Sequence, residues 1–504
     1  MINIPISEKC KKLQKSLIGV YKNRIKVYNI SEDKFSEDKF TKKGGYMFVG
    51  RENEIKKINS FLEKKKSLIV YGLRRIGKTT LIKKVLEEGK YNYVYFECQK
   101  ASESINVSLF VDVLKEKLSF VDAKFETFLS VFKELDKLYK NYIFVIDEYS
   151  YLKQYYLESK ASDTKRLAEQ LDSEFQTIID EHLKNINLIV SGSSIHIMER
   201  LLDHESPLYG RFDDKIVLRQ FSYLDAKKMF NNTSNIDVIN YYSIFGGSPF
   251  VLEKIDEKKS LKENICDLIL NESGSLRMHL KNNVINELEG DVDLHNVLDV
   301  IKNGSKKYSE IEAQCHIETS GLLDKRLKKL LELDIIEAKF PIGRENDKRK
   351  KYYQIKDNLL KFYYAYVFRQ DNRIDLLGES RYYDVYIEPS ITNFISRRFE
   401  NIVRDYFSLA IKRGMYSDII DIGSYFSSNS ELDCVLKKKD GTYSVFEVKY
   451  YTKPLTKEIV KKEISQIEKI VGLNINEIGF VSTSDYESKL DEIKYLDLKD
   501  IFFE

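Results

Sequence analysis

This chain of 504 residues has few cysteines, no long apolar run and only a small excess of positive charge. Its five cysteines are odd in number and widely scattered, which indicates free thiols in a reducing cytoplasm rather than a disulfide framework. C-x-x-C and H-x-x-x-H spacings do not occur, so a structural zinc site is not expected. No apolar stretch approaches the ~20 residues of a membrane span, and the first residues lack the form of a signal peptide. We therefore expect a cytoplasmic protein with no membrane partner.

The charge balance also limits the kinds of partner. A net charge of +3 gives no global field for nucleic acid, so any DNA-binding surface must be a local basic patch. Hydrophobic content of 42% and charged content of 32% are typical of a folded globular protein. The length predicts about two to four domains.

The most informative feature that is present is the motif Y-G-L-R-R-I-G-K-T-T, which follows the apolar run 67–70. Its spacing is that of a phosphate-binding loop, in which glycines let backbone N–H groups turn toward phosphate oxygens. Lys78 is expected to reach the β and γ phosphates of ATP, Thr79 to bind Mg²⁺, and the following helix to add the positive end of its dipole. The predicted nucleotide-binding residues of this loop are Gly72, Leu73, Arg74, Arg75, Ile76, Gly77, Lys78, Thr79 and Thr80.

A second apolar run, residues 142–146, ends in Asp147 and Glu148. A continuous apolar run is typical of a central parallel strand, and parallel sheets bind ligands at the carboxyl ends of their strands. We predict that Asp147 holds Mg²⁺ through water and that Glu148 polarises the attacking water. Strands and helices alternate through residues 93–218, which predicts an α/β fold with a parallel sheet covered by helices on both faces.

Further candidates surround the predicted nucleotide. Phe48 and Val49 are predicted to pack on the adenine base, although a helix entry explains them equally well. Ser193, at the end of a strand expected beside that of Asp147, is predicted to sense the γ-phosphate, with an ordinary turn as the alternative. Arg211 lies in a loop from which it would reach the γ-phosphate in the same chain or across a subunit boundary, and the alternative is a solvated arginine.

The patterns predict five segments in the chain. They are a polar N-terminal extension (1–45), a P-loop ATPase core (46–235), a helical lid (236–290), a winged helix-turn-helix (291–357) and a C-terminal α/β domain (358–504), whose predicted element order α-β-β-β-α-β is that of the restriction-endonuclease-like core. The third helix of the winged segment is basic, and residues 348–351 are basic as well, which suits a DNA major groove and its phosphates. Acidic neighbours dilute this charge, and many such modules mediate only protein contacts, so DNA binding stays open.

Carboxylates and a lysine converge in the last segment. Asp433 lies on an alternating strand, and Glu447 and Lys449 lie two apart on the returning strand of a hairpin, so their side chains share one face. Glu400 lies on a preceding helix. We predict a Mg²⁺ site with Glu400, Asp433 and Glu447 as ligands, and phosphodiester hydrolysis with Asp433, Glu447 and Lys449 as catalytic residues. A hairpin with surface charges is the alternative.

With these motifs read, the chain resembles the archaeal-type ATPase family, P-loop proteins related to the AAA+ and STAND groups. The resemblance rests on residues 48–52, 72–79, 147–148, 191–194 and 208–211. It implies ATP binding and Mg²⁺-dependent hydrolysis. The tail, whose entry is at 353–363, resembles the domain of unknown function often fused to this ATPase, which is similar to PD-(D/E)xK nucleases. Glu431 stands where that nuclease superfamily has its namesake proline.

The sequence thus predicts an ATP-driven conformational switch whose C-terminal domain grips or cleaves DNA. The alternatives are a non-catalytic, ATP-dependent signalling scaffold and a DNA-binding regulator with a degenerate nuclease fold. The expected cofactors are ATP and Mg²⁺, the expected partner is DNA, and a homo-oligomer is left open.

Overall fold

The computed structural model describes residues 48–64, 66–120, 123–159, 163–281, 292–316, 321–344, 347–426 and 431–504. The chain forms two compact units, residues 1–50 and 51–504, and the helices and strands given below belong to the second. The polar extension predicted for residues 1–45 lies outside the described residues. Within the described part of the chain, no helix is long and apolar enough to cross a membrane.

A five-stranded sheet organises the first part of the second unit. Its strands are β1 (Ser67–Tyr71), β2 (Asn92–Glu97), β3 (Tyr142–Asp147), β4 (Asn187–Gly192) and β5 (Asp214–Val217). They pair in the order β2-β3-β4-β1-β5, and each neighbouring pair is parallel. β1, β3 and β4 are buried along almost their whole length, as the continuous apolar runs indicate. The predicted α/β fold with a parallel sheet is confirmed.

The helices of this part pack on the sheet through large apolar side chains. They are α1 (Glu52–Lys64), α2 (Lys78–Glu88), α3 (Glu103–Leu118), α4 (Phe128–Leu138), α5 (Tyr149–Glu158), α6 (Thr164–Glu181) and α7 (Ile195–Arg200). Phe110 of α3 lies 5.1 Å from Phe96 of β2 and 6.0 Å from Phe128 of α4, measured between ring centroids. All three rings are buried, so α3 and α4 are fixed on one face of the sheet.

A helical segment follows the sheet, and it includes the described part of the region predicted to be a lid (236–290). It contains α8 (Tyr223–Lys227), α9 (Asn235–Phe245), α10 (Pro249–Leu252), α11 (Leu261–Ile265), a π-helical turn (Cys266–Leu270) and α12 (Ser275–Leu280). Gly246 ends α9 with a φ of 74°, and Pro249 starts α10, so the break between them follows from turn chemistry. Residues 282–290 of the predicted lid lie outside the described residues.

The next segment has three helices and a small antiparallel sheet. The helices are α13 (Val292–Ile301), α14 (Tyr308–Gln314) and α15 (Leu322–Glu332), and the strands are β6 (Lys306–Lys307), β7 (Ile336–Lys339) and β8 (Tyr352–Ile355). The sheet order is β6-β8-β7. Part of the predicted basic wing, residues 348–350, forms one 3₁₀ turn between β7 and β8. The identification of this segment as a winged helix-turn-helix stays a prediction.

The C-terminal segment pairs a long helix with a second five-stranded sheet. Its elements are α16 (Asn358–Tyr366), α17 (Asp371–Leu377), α18 (Glu379–Tyr382), a π-helical turn (Tyr383–Ile387), α19 (Glu388–Lys412), β9 (Ile419–Phe426), β10 (Glu431–Lys438), β11 (Tyr443–Lys449), α20 (Lys457–Ile467), β12 (Ile475–Ser482), β13 (Lys494–Leu496) and α21 (Leu498–Phe502). The order is β13-β12-β11-β10-β9, with β9, β10 and β11 antiparallel and the other pairs parallel. A C-terminal sheet domain is therefore present, and its nuclease-like nature stays a prediction.

The segments of the second unit pack directly against one another. Ile342, just after β7, donates its N–H to Ser424 O of β9 (3.0 Å) and belongs to the apolar core of the C-terminal sheet. Tyr352 of β8 meets Phe426 edge-on at 4.5 Å between centroids. Tyr223 of α8 donates to Ile501 O of α21 (2.6 Å). These contacts fix the C-terminal sheet against both earlier segments.

Candidate functional site

The phosphate loop connects β1 to α2, and both of its glycines are required by geometry. Gly77 precedes α2 with a φ of 92°, which a residue with a side chain adopts only with strain. At Gly72 a Cβ atom would lie 2.3 Å from Leu218 O, a main-chain atom that cannot move aside easily. The loop is thus folded tightly against the chain that leaves β5, and α2 begins at Lys78 with its N–H groups facing the loop.

Lys78 is held over this loop. Its Nζ donates to Gly72 O (2.9 Å) and Leu73 O (3.1 Å), and the residue is 5% exposed. Burial lowers the pKa of Lys78, while the negative charges of Glu148 and Asp147 oppose that shift. The ammonium therefore lies where the prediction needs a cation for the phosphates.

Asp147 is the centre of a hydroxyl network at the end of β3. Its Oδ2 accepts from Thr79 Oγ1 (2.9 Å) and from Tyr95 OH, and its Oδ1 accepts from Ser191 Oγ and from the N–H of Glu148 (2.9 Å). Hydroxyl and carboxylate oxygens are the donors that Mg²⁺ prefers, so Thr79 and Asp147 fit the predicted metal. Sequence reasoning missed Tyr95 and Ser191, because only the strand order β2-β3-β4 brings them beside Asp147.

Glu148 is oriented by two serines. It has a left-handed backbone conformation, with a φ of 50°. Its Oε2 accepts from Ser193 Oγ (2.7 Å), from Ser193 N (3.1 Å) and from Ser150 Oγ (3.1 Å). Ser193 therefore holds the carboxylate that is predicted to polarise water, and the adjacency of β3 and β4 that placed it there was expected from sequence. Contact of Ser193 with a γ-phosphate stays a prediction.

Arg211 lies at the opposite end of β1 from the phosphate loop. Its carbonyl accepts from Ser67 Oγ (3.3 Å) at the first residue of β1, and its guanidinium pairs with Asp180 (3.3 Å). Five strand residues separate the two ends, a distance of roughly 16 Å. An in-chain contact with the γ-phosphate is therefore not supported by this placement, and a role across a subunit boundary stays a prediction.

The rest of the loop contacts the helical segment that follows the sheet. The carbonyl oxygen of Arg75 accepts from Ser248 Oγ (3.3 Å). The Arg75 guanidinium lies 4.3 Å from the ring centroid of Phe250 and forms a hydrogen bond with His279. Burial, and then the charges of Arg75 and Lys254, lower the pKa of His279 to about 4, which keeps this ring neutral. Residues of the predicted lid therefore contact the phosphate loop at Arg75.

The chain after β5, residues 218–221, is named here the post-β5 segment. Arg51 Nη2 donates both to Ile76 O of the phosphate loop (3.1 Å) and to Arg219 O of this segment (2.7 Å). Gln220 Nε2 donates to Asp357 Oδ2 at the entry to α16 (2.5 Å), and Gln220 Oε1 accepts from the N–H of Gly247 in the predicted lid (3.1 Å). Sequence reasoning assigned no role to Arg51 or Gln220.

The remaining predicted loop residues are placed as follows. Arg74 lies 5.1 Å from the centroid of Tyr151, Thr80 is exposed on the first turn of α2, and the Ile76 side chain is buried. Phe48 and Val49 belong to the first compact unit, and their packing on adenine stays a prediction.

In the C-terminal sheet, Asp433 of β10 faces the end of β11. Its Oδ2 accepts from the N–H of Val448 (2.9 Å). Lys449 Nζ pairs with Glu447 at 3.3 Å and with Glu463 of α20 at 3.3 Å. Glu463 was missed by sequence reasoning, since its contact depends on how α20 packs.

Glu400 of α19 belongs to the same electrostatic cluster. Burial, reinforced by the charge of Asp433, raises the pKa values of both Glu400 and Glu447. Arg404 donates to Asp433 O and to Asn401 Oδ1 (2.6 Å). A cation would relieve the repulsion among these carboxyl groups, so their chemistry fits a metal. Yet within the described residues no group of three or more His, Cys, Asp or Glu side chains is arranged to hold one, so the geometry supports at most a site with fewer protein ligands.

Comparison with known protein families gives one match to the part of the chain with the phosphate loop and one match to the C-terminal part. Residues 48–255 match a family described as an ATPase domain predominantly from Archaea, and residues 363–467 match one described as archaeal and bacterial proteins of unknown function. An uncharacterized protein of Methanocaldococcus jannaschii, MJECL04, is 27% identical over 439 residues, which are 85% of this chain and 93% of that protein.

Among solved structures, the Walker-type ATPase PABY2304 of Pyrococcus abyssi is 19% identical, with a TM-score of 0.48, over 63% of this chain and 96% of that one. The ORC2 protein of Aeropyrum pernix is 12% identical, with a TM-score of 0.41, over 68% of this chain and 98% of that one. Both likenesses are distant and carry no conclusion about function. The domain matches and the geometry of the phosphate loop fit an archaeal-type, ATP-binding P-loop ATPase that carries a C-terminal domain of unknown function.

Proposed function

We propose that this protein is a Mg²⁺-dependent ATPase that works as a conformational switch, in which the nucleotide state of the phosphate loop controls a DNA-acting C-terminal domain. One observation carries the proposal. The post-β5 segment touches the phosphate loop at Gly72, shares Arg51 with it, and bonds Asp357 at the entry to the C-terminal domain. A change in the shape of the loop therefore has a path of direct contacts to α16.

The proposed chemistry at the nucleotide uses four side chains. Lys78 neutralises the β and γ phosphates, and Thr79 with Asp147 holds the metal. When bound, Mg²⁺ would supply further neutralisation of the negative charge of the phosphates. Glu148 orients the attacking water and accepts its proton, with its carboxylate fixed by hydrogen bonds on Oε2.

ATP turnover, measured with and without duplex and single-stranded DNA, tests this proposal. Wild-type protein is expected to hydrolyse ATP at a rate that changes when DNA is added. Lys78→Ala is expected to lower turnover by roughly a hundredfold or more, because it removes the cation over the phosphates. Lys84→Ala in the second half of the same helix removes an ion pair with Glu88 and serves as the control. Normal turnover in Lys78→Ala would refute the assigned site.

We further propose that the C-terminal domain acts on DNA through Asp433, Glu447 and Lys449. Two carboxyl groups beside a lysine suit phosphodiester hydrolysis, since a bound metal activates water and the lysine stabilises the developing charge. The surface of the preceding three-helix segment carries exposed cations, which support DNA as the partner. The exposed residues Lys325, Lys328 and Lys329 lie on α15, and the side chain of Arg349 in the wing is 96% exposed. A binding assay across salt concentrations tests that surface, and a steep slope is expected for phosphate contacts.

A second candidate function is a non-catalytic, ATP-dependent scaffold, and a specific observation favours it. Lys449 is already paired with two carboxylates, and the described residues provide no three-ligand acidic group for a metal. A plasmid-nicking assay with Mg²⁺ or Mn²⁺ separates the two. Cleavage that is lost in Asp433→Ala and Glu447→Ala but kept in Asp440→Ala, in the exposed hairpin turn, would exclude the scaffold. Absence of cleavage in wild-type protein, with ATP turnover intact, would favour it.

A further inference from the structure

Tyr95 of β2 reaches both side chains that are predicted to hold the metal. Its hydroxyl donates to Asp147 Oδ2 and lies 3.2 Å from Thr79 Oγ1. Thr79 Oγ1 also donates to Asp147 Oδ2 (2.9 Å), so oxygen atoms from β2, β3 and α2 meet at one point. Tyr95 belongs neither to the phosphate-loop motif nor to the carboxylate pair at the end of β3. Its hydroxyl is therefore a contribution to the site from a third segment of the chain.

The pairing of β2 with β3 places the hydroxyl there. The two strands are parallel, with Tyr95 opposite Val145 and Glu97 opposite Asp147. Because residues two apart point to the same face of a strand, Tyr95 and Asp147 share a face. Strands about 4.8 Å apart and a rise of about 3.3 Å per residue put their Cα atoms about 8 Å apart, a gap that tyrosine spans and serine does not. The register therefore requires a long side chain for this contact.

Helix α2 contacts the same ring one turn further on. Lys83 Nζ lies 4.8 Å from the centroid of the Tyr95 ring, and Lys83 comes four residues after Thr79 on the helix. Residues four apart share a helix face, so Thr79 meets the hydroxyl and Lys83 meets the ring. A cation over the face of an aromatic ring is attracted to it. The ring is therefore held by β2 and α2 together, which restrains the direction of its hydroxyl.

Hydrogen bonds fix both oxygens of the Asp147 carboxylate. Oδ1 accepts from Ser191 Oγ and from the N–H of Glu148 (2.9 Å), and Tyr95 supplies an orienting bond on Oδ2. Partners of this kind orient the carboxylate ligands of a metal, and their loss costs about 10–100-fold in metal affinity. We propose that Tyr95 is a positioning residue of the nucleotide site, whose hydroxyl holds Asp147 Oδ2 beside Thr79 and thereby raises the affinity for Mg²⁺. This inference deepens the proposed ATPase function and rests on its assignment of Thr79 and Asp147 to the metal.

Tyr95→Phe tests the proposal, because it removes the hydroxyl and keeps the ring beside Lys83. Mn²⁺ is titrated into protein that holds a non-hydrolysable ATP analogue, kept below the protein concentration, and binding is followed by electron paramagnetic resonance. The same titration without the analogue subtracts any ion bound at the carboxylates of the C-terminal sheet. Tyr95→Phe is expected to weaken analogue-dependent Mn²⁺ binding about tenfold or more, with unchanged affinity for the analogue in EDTA.

Steady-state turnover separates positioning from a general loss of activity. The free Mg²⁺ concentration that gives half-maximal ATP turnover is expected to rise about tenfold in Tyr95→Phe, while kcat at saturating Mg²⁺ changes less than about twofold. Tyr93→Phe is the matched control and should behave as wild type. It removes a hydroxyl from the same face of the same strand, where the partner is Glu87 Oε1 (3.1 Å) rather than a predicted metal ligand.

A double variant tests whether Tyr95 acts through Asp147. In an Asp147→Asn background the hydroxyl no longer orients a carboxylate, so Tyr95→Phe should weaken Mn²⁺ binding by less than about twofold further. A full further tenfold loss in that background contradicts the proposed role. Two unnatural side chains at position 95, 4-aminophenylalanine and 4-methylphenylalanine, match each other in bulk and differ in the donor. The amino form should restore Mn²⁺ affinity and the methyl form should not, which keeps the test available if phenylalanine lowers the melting temperature.

The outcomes distinguish this inference from the proposed function. Equal Mn²⁺ affinity and equal Mg²⁺ requirement in wild type and Tyr95→Phe, or equal affinity with the amino and methyl side chains, overturns the role of Tyr95 and leaves the ATPase site intact. Absence of analogue-dependent Mn²⁺ binding in wild-type protein overturns the metal site itself, and the role of Tyr95 with it.

Discussion

Replacement of Gln220 by alanine tests the proposed switch at a side chain that links separate segments of the chain. Gln220 donates from Nε2 to Asp357 Oδ2 (2.5 Å) and accepts at Oε1 from the N–H of Gly247 (3.1 Å). One side chain therefore joins the post-β5 segment to the lid and to the start of α16. The alanine substitution removes these two bonds and leaves the nucleotide-binding residues in place. It should therefore interrupt the contacts that join the phosphate loop, through the post-β5 segment, to α16.

The magnitude follows from burial and bond count. A hydrogen bond contributes about 0.5–1.5 kcal/mol net, and a buried group left without a partner costs about 1–3 kcal/mol. Gln220 and Asp357 are both half-buried, so about 1 kcal/mol for each of the two bonds is appropriate. We expect Gln220→Ala to lower the free energy of unfolding by about 2 kcal/mol, and the double variant with Asp357→Ala to be less destabilised than the sum of the single variants.

Gln154→Ala is the matched control. Gln154 makes a bond of the same kind and length to Glu158 (2.5 Å), but on the surface, so its loss should cost less than about 0.5 kcal/mol. Urea unfolding of wild-type protein and of the four variants, Asp357→Ala included, measures these energies. Hydrogen exchange of α16, followed with and without a non-hydrolysable ATP analogue, measures the coupling.

Wild-type protein should show nucleotide-dependent protection in residues 358–366, and Gln220→Ala should lose that dependence while binding the analogue normally. Equal, nucleotide-dependent protection of α16 in wild type and Gln220→Ala would refute the assigned path. No nucleotide-dependent protection in either protein would refute the switch itself.

Three further outcomes are expected. Gly72→Ala should weaken ATP binding by about tenfold or more in calorimetry, because its Cβ would lie 2.3 Å from Leu218 O and the phosphate loop must shift. The protein environment of Asp405 raises its pKa to about 6, so the folded protein holds this proton more tightly than the unfolded chain does. Because Asp405 is exposed and solvent screens its charge, urea unfolding should show stability falling by less than about 1 kcal/mol between about pH 4 and pH 6, and Asp405→Asn should flatten that change. Burial raises the pKa of Glu447, so Mn²⁺ binding followed by electron paramagnetic resonance should strengthen as pH rises above neutral, and Glu447→Gln should reduce this dependence, with the remainder due to Glu400, whose pKa is raised as well.

Much of the nucleotide site follows from local sequence. The apolar runs before Gly72 and Asp147 predicted buried parallel strands, and the structure has β1 and β3 there. The short spacing of the loop fixes Lys78 at the start of α2, because a few residues with two glycines can close in only a few ways. In the C-terminal sheet, the two-residue spacing of Glu447 and Lys449 predicted a shared face, and their contact at 3.3 Å agrees.

Other parts of the site depend on contacts between distant segments. Tyr95 and Ser191 reach Asp147 only because β2 and β4 flank β3. Arg211 was assigned to the nucleotide from its loop chemistry, but the direction of its strand puts it at the far end of the sheet. The residue pattern around Arg211 does not show at which end of the sheet its loop will lie.

Local sequence alone accounts for the phosphate loop, the alternation of strands and helices and the carboxylate hairpin, because each depends on neighbours within one or two elements. The folded chain was needed to show that Gln220 hydrogen-bonds Asp357, that Arg51 hydrogen-bonds the phosphate loop, and that Lys361 and Arg398 are buried. Those contacts join residues far apart in the chain. Their energies depend on desolvation and packing, which periodicity does not encode.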